Sequence, residues 1–142
     1  MDRMRDTFEI NTLGPMRVQR ALEGKMKNPS KIIVVSTGMA SIGDNGSGGV
    51  YAYRCSKAAV NMLAKCWSCD FKDAGIAVAA VNPGMVVTEF GPGREAMASY
   101  GARPADKVCA TMLQICDDLT LESSGCFKSV SKDSFEAVDY PW

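Results

Sequence analysis

The sequence contains no histidine. A zinc shell built on imidazole is therefore excluded, and Cys66-Trp67-Ser68-Cys69, which has the spacing of a zinc or redox half-site, has no second pair to complete it. Net charge is missing too: 16 Lys and Arg offset 16 Asp and Glu. No run of one sign points to nucleic acid or to a membrane surface. Long hydrophobic stretches are absent, because the longest, residues 32–35 and 76–81, fall far short of the roughly 20 residues that span a bilayer. The start, Met1-Asp2-Arg3-Met4-Arg5-Asp6, has no apolar core of a signal peptide. The glycine-rich segment 43–49 lacks the GxxxxGK[ST] order of a phosphate loop and reads as a flexible loop. These absences leave a soluble, cytoplasmic protein as the expectation.

What is present suits one compact domain with a real core in 142 residues. Cysteines stand at 55, 66, 69, 109, 116 and 126. Cys66 and Cys69 lie inside the helical pattern Val60, Leu63, Ala64, Trp67, Phe71, so buried helix thiols are expected there. Unpaired cysteines of this kind fit a reducing compartment.

Residues 1–27 read as a helix, with Met4, Phe8, Leu13, Met16 and Leu22 near helical spacing. Gly14-Pro15 interrupts it, since proline lacks a donor and clashes with the preceding turn. A kink there would free backbone groups around Asn11. Residues 31–36 form a short, β-branched run suited to a strand covered on both faces. A second helix follows the glycine-rich loop and runs to about Lys72, closing at Gly75. Residues 76–81 repeat the buried-strand pattern and stop at Asn82-Pro83-Gly84. An irregular excursion leads to a helix starting near Pro104 and carrying Val108, Met112, Leu113 and Ile115 toward Leu119. Residues 123–130 give a last, weaker strand, followed by a polar tail that ends in aromatics. The alternation of helix and strand argues for an α/β parallel sheet of three strands with right-handed crossovers. Ligands of such sheets bind off the carboxyl ends of the strands.

Tyr53 and Lys57 open the second helix four residues apart, hence on one face. A tyrosine hydroxyl in water titrates near pH ~10, and a fixed cation beside a phenol favours its ionised form. Such a pair is suited to general acid/base work near neutrality. The spacing alone favours a solvated helix with one half-buried aromatic. Context argues further, because Ser36-Thr37 and Asn82-Pro83-Gly84 follow the first two strands on the same side.

In that order the chain resembles the carboxyl-terminal portion of a short-chain dehydrogenase/reductase. The matching pieces are Phe8-Glu9-Ile10-Asn11-Thr12-Leu13-Gly14-Pro15, Ile32-Ile33-Val34-Val35-Ser36-Thr37, Tyr53-Arg54-Cys55-Ser56-Lys57-Ala58-Ala59-Val60-Asn61, and Val81-Asn82-Pro83-Gly84 with Thr88. The insertion before Tyr53 and the terminal Pro141-Trp142 resemble the carbonyl-reductase-like, cell-signalling-factor branch. The resemblance implies hydride transfer between NAD or NADP and a small carbonyl or alcohol substrate. It makes Tyr53 the acid/base and Lys57 the cation that supports it and binds the nicotinamide ribose. Asn11 would hold a relay water. Thr37 would polarise the carbonyl, with Ser36 and Ser41 as alternatives. Pro83, Gly84 and Thr88 would line the nicotinamide side, and Tyr51 would pack.

The resemblance also implies an omission. A complete member opens with a strand and a TGxxxGxG turn that seats the pyrophosphate on a helix N-terminus. Residues 1–142 thus read as the second half of a Rossmann-type doubly wound domain, starting inside the family's fourth helix. The first strand would then have an apolar edge without a neighbour. Two functions follow: an oxidoreductase, or a catalytically silent remnant that dimerises or pairs with a full-length relative.

Overall fold

The structure, a computed structural model, describes residues 1–89 and 92–142. Phe90 and Gly91, inside the expected excursion, lie outside the described residues. The chain opens with α1 (Asp2–Phe8), a π-helical turn (Glu9–Leu13) and α2 (Gly14–Leu22). It continues through β1 (Lys31–Val35), α3 (Tyr51–Asp70), β2 (Ala77–Asn82) and α4 (Arg94–Ser99). It ends with α5 (Ala105–Asp118), β3 (Cys126–Val130) and β4 (Ala137–Asp139).

The interruption expected at Gly14-Pro15 is a widened turn just before it, with Pro15 in the first turn of α2. Proline is tolerated there because its missing N–H would have no helical partner anyway.

The sheet has the order β1-β2-β3-β4. β1, β2 and β3 are parallel, in the register Lys31 to Ala77 and Ala79 to Cys126. The three expected strands are joined by β4, antiparallel to β3 and inside the stretch expected as a polar tail. Three exposed residues carry no hydrophobic alternation, so β4 gives almost no pattern to read.

β2 is buried along its whole length, and its alternation sorts the two faces. Val78 and Ala80 pack with Val34, Val60, Ala64, Trp67, Phe71 and Phe127. Val81 packs with Val108, Ile115 and Val130, while Ala77 and Ala79 meet Leu119. α3 and α5 therefore cover opposite faces, the doubly wound arrangement. This corrects one expectation. The strands step in a single direction while the crossover helices sit on opposite faces, so both crossovers cannot be right-handed. The long connection of residues 83–104 gives the chain room to pass over the sheet end before α5 begins.

Other expectations fail at the periphery. Cys66 and Cys69 are exposed, not buried, because they flank the inward stripe of Val60, Ala64 and Trp67 on α3. Tyr51 is 74% exposed and packs on little. Leu13, Met16, Leu22 and Leu113 are also exposed, and the inward residues of the first helical stretch are Thr12 and Gln19. Among the described residues the far edge of β1 pairs with no strand. Beside it an apolar groove of about 520 Å³ runs between Val18, Leu22, Ile32 and Val34. No described helix is long and apolar enough to cross a membrane.

Candidate active site

The carboxyl ends of β1 and β2 open into a cleft of about 730 Å³. Its lining brings together Ser36, Thr37, Tyr53, Lys57, Pro83, Gly84 and Thr88, residues drawn from four separate stretches of chain. Of the candidate site residues of the sequence, Asn11 and the alternative Ser41 are not on that wall; the others are.

Each is positioned by local chemistry. Lys57 reaches from α3 to the last carbonyl of β1, donating from Nζ to Val35 O at 3.1 Å. Burial pushes its ammonium below the ordinary lysine range, because desolvation disfavours the charged form. Tyr53, one turn earlier, shares its face. Thr37 is extended, and its Oγ1 accepts from Met39 N at 3.3 Å, capping the short turn of Gly38–Ala40. That bond uses a lone pair of the hydroxyl and leaves its proton free to donate into the cleft.

Ser36 differs from its neighbour. It is 4% exposed, and its Oγ donates to Asn61 Oδ1 at 2.5 Å. Its proton is therefore committed to the core contact between β1 and α3. Ser41, the other alternative, donates to Trp142 O at 3.3 Å and accepts from Asp44 N at 3.0 Å.

Asn11 sits on the π turn and meets α3 from behind. Its Nδ2 donates to Ser56 Oγ at 3.1 Å, and Ser56 Oγ donates to Tyr53 O at 2.9 Å. Thr12 adds a bond to Ser56 O at 2.9 Å. Asn11 thus touches the Tyr53 turn through its backbone, not through the phenol.

Past β2, Asn82 folds its side chain over the turn, Oδ1 accepting from Gly84 N at 2.9 Å while Nδ2 donates to Ser129 Oγ at 3.0 Å. Gly84 has φ +71°, a conformation that suits glycine. Arg103 returns from the far end of the excursion, donating to Pro83 O at 2.5 Å and to Ser131 O. Its backbone pairs with the excursion's start, Arg103 N donating to Met85 O and accepting at O from Val87 N, both at 2.9 Å.

Sequence reasoning missed Arg103, Arg54, Asp44 and Tyr140. Arg54 tethers the glycine-rich loop, donating to Gly48 O at 3.0 Å, Met39 O at 3.2 Å and Ser47 Oγ at 2.8 Å. Tyr140 Oη donates to Asp44 Oδ2 at 2.5 Å across the cleft mouth. The available signal was the two-residue spacing of Tyr140 and Trp142, which places both on one side of an extended chain. Among the described residues no cluster of three or more His, Cys, Asp or Glu could hold a metal.

Comparisons with known proteins bear on the family and the fold. The family model described as short chain dehydrogenase matches residues 1–98, and the chain belongs to that family. It is 37% identical over 127 residues to the 1-hydroxy-2-glutathionyl-2-methyl-3-butene dehydrogenase of Rhodococcus sp. (strain AD45), covering 89% of this chain and 55% of that protein. It is 35% identical over 141 residues to C-signal of Myxococcus xanthus, covering 98% and 78%. Among solved structures, the carbonyl reductase Sniffer of D. melanogaster superposes with a TM-score of 0.85 at 26% identity, over 100% of this chain and 58% of that one. The NADPH-bound carbonyl reductase from chicken fatty liver gives 0.80 at 26% identity, over 99% and 58%. The chain thus spans little more than half the length of the dehydrogenase and of both reductases.

Proposed function

We propose that this chain carries the nicotinamide-side half of a carbonyl reductase or alcohol dehydrogenase site, residues 1–142 being the second part of one dinucleotide-dependent domain. The observation that carries the reading is the convergence of Tyr53, Lys57, Thr37 and the Pro83-Gly84 turn on one cleft. Tyr53 gives its hydroxyl proton to the carbonyl oxygen in reduction and takes it back in oxidation. Thr37 donates a hydrogen bond to the same oxygen, and its methyl narrows the space beside it. Ser36, engaged with Asn61, supports the wall from within. Asn11 steadies the first turn of α3 through Ser56, consistent with a water-relay role behind Lys57.

The donor set fits a nicotinamide ribose. One of the three ammonium donors of Lys57 is used on Val35 O, which leaves two for a vicinal diol. Pro83, Gly84 and Thr88 would flank the ring. The cofactor, NAD or NADP, supplies the hydride. Residues 1–142 hold no TGxxxGxG turn for its pyrophosphate, and the open side of β1 is where a layer carrying one would pair. Six free thiols suit a reducing cytoplasm.

The test is turnover of a small aldehyde with NADH and NADPH, alone and with a family amino-terminal half supplied. Tyr53→Phe should lower kcat by about 10²–10⁴, the usual worth of general acid/base catalysis, while nucleotide binding persists. Near-wild-type turnover in that variant would refute the assignment. A second reading, a silent remnant acting by dimerisation or by pairing with a full-length relative, draws on the exposed Ile10, Val18 and Leu22 beside the open β1 edge. Concentration-dependent mass in sedimentation, with no nucleotide binding, would favour it.

A further inference from the structure

Besides Tyr53, the cleft is lined by Tyr140, from the far end of the chain. Tyr140 follows β4 and is fixed from three sides. Its N donates to Phe127 O at 2.9 Å, and its ring meets that of Phe127 edge-on, 5.3 Å between centroids at 72°. Its hydroxyl donates to Asp44, and the third side is Gly38. A Cβ added at Gly38 would lie 2.7 Å from Tyr140 Oη and 3.2 Å from Asn82 Nδ2, so the ring approaches bare backbone. Two residues on, Trp142 O accepts from Gly43 N at 2.8 Å and from Ser41 Oγ at 3.3 Å. The tail is therefore stitched to the loop that follows Thr37.

This junction has a definite chemical character. The single proton of Tyr140 is used on Asp44, so the phenol offers the cleft a ring and no donor. The hydrogen bond and burial push its hydroxyl up to about 12, so the proton stays in place throughout the neutral range. Asp44 contributes a carboxylate that only accepts. Met39, Met85 and Met97 supply a pliable apolar lining. The cations on the same wall are Arg54 and Lys57, and the donors of Arg54 are turned to the loop.

We infer that Tyr140 and Asp44 form the specificity-determining wall of the carbonyl site, selecting substrates with a neutral aromatic or apolar tail over those with an anionic one. The inference rests on the carbonyl-reductase reading, and its test separates the two. The probes are benzaldehyde and 4-carboxybenzaldehyde, with their product alcohols as binding ligands in ligand-observed NMR. Wild type should favour the neutral member of each pair by about two- to fivefold, the scale of one partly screened charge contact. Asp44→Ala, a change at an exposed position, should bring that ratio close to one. Tyr140→Phe keeps the ring and should abolish the one-tyrosine absorbance step near pH 12. It should also weaken discrimination, since Asp44 is then no longer held in place.

Turnover with an unchanged ratio in Asp44→Ala overturns the wall while leaving the function reading intact. No turnover, with selective binding of benzyl alcohol that Asp44→Ala equalises, supports the wall and counts against catalysis. No selective binding by wild type overturns it outright.

Discussion

Gly84→Ala tests whether the turn after β2 is held as tightly as its contacts imply. The glycine has φ +71°, where an L side chain costs roughly 1–2 kcal/mol. The new Cβ would also lie 2.5 Å from Arg103 Nη2, so the guanidinium must withdraw from Pro83 O. A hydrogen bond from a charged donor contributes about 1.5–3 kcal/mol. The two effects together predict a loss of about 3–4 kcal/mol, if Arg103 keeps part of its contact with Ser131. For a chain of this length that lowers Tm by roughly 10 °C. Gly46→Ala is the control, because a Cβ there meets nothing within 4 Å. In an Arg103→Met background the clash is relieved, and Gly84→Ala should cost only the backbone part, roughly 1–2 kcal/mol. A Tm change under about 2 °C for Gly84→Ala alone would show that neither the backbone strain nor the Arg103 contact operates.

Three further outcomes follow from contacts described above. Ser36→Ala should destabilise by about 1–3 kcal/mol in urea unfolding, because Asn61 is left without its buried partner while its Nδ2 already has none. Thr37→Val should cost less stability than Ser36→Ala, only the long 3.3 Å cap on Met39 N, and reduce turnover, and the opposite pattern would exchange the two roles. Titration with a thiol reagent under native conditions should find Cys55, Cys66, Cys69 and Cys109 quickly, with Cys126 lagging, since burial raises its thiol. The Tyr140 hydroxyl is raised from 10.0 to about 12, so its contribution to stability is complete below pH 10 and disappears as pH passes 12. The stability gap between wild type and Asp44→Ala should shrink over that window, and a gap constant with pH would rule out the bond.

The sequence was informative where one physical pattern dominates. The apolar runs at 32–35 and 76–81 both form strands; β2 is buried on both faces as expected, whereas β1 is not, with Lys31 and Val35 exposed and Ile32 and Ile33 half-buried at the open edge. Tyr53 and Lys57 were legible because helix periodicity ties them together. Ser36-Thr37 and Asn82-Pro83-Gly84 were legible because strand ends in parallel sheets gather at one edge. What escaped depends on contacts distant in sequence. Tyr140 meets Asp44 across 96 positions, and nothing local to either residue announces it. The inward choice of Thr12 and Gln19 over Leu13 and Met16 depends on which neighbour covers each face, a property of packing and not of periodicity. The divergent roles of Ser36 and Thr37 follow from strand alternation, which turns one hydroxyl to Asn61 and leaves the next at the cleft.

The π turn at Glu9–Leu13 has a geometric consequence for how α3 is gripped. Consecutive residues on an α-helix point about 100° apart, so neighbours do not ordinarily reach one target. In the widened turn Asn11 and Thr12 both bond to Ser56, one to its hydroxyl and one to its carbonyl. The extra residue works as a phase adjuster: it lets two adjacent side chains close like a pair of fingers on one point of the neighbouring helix. Deleting a single residue from the turn would restore regular winding and rotate everything upstream by one step, so a deletion here should be far more damaging than any single substitution of its exposed members.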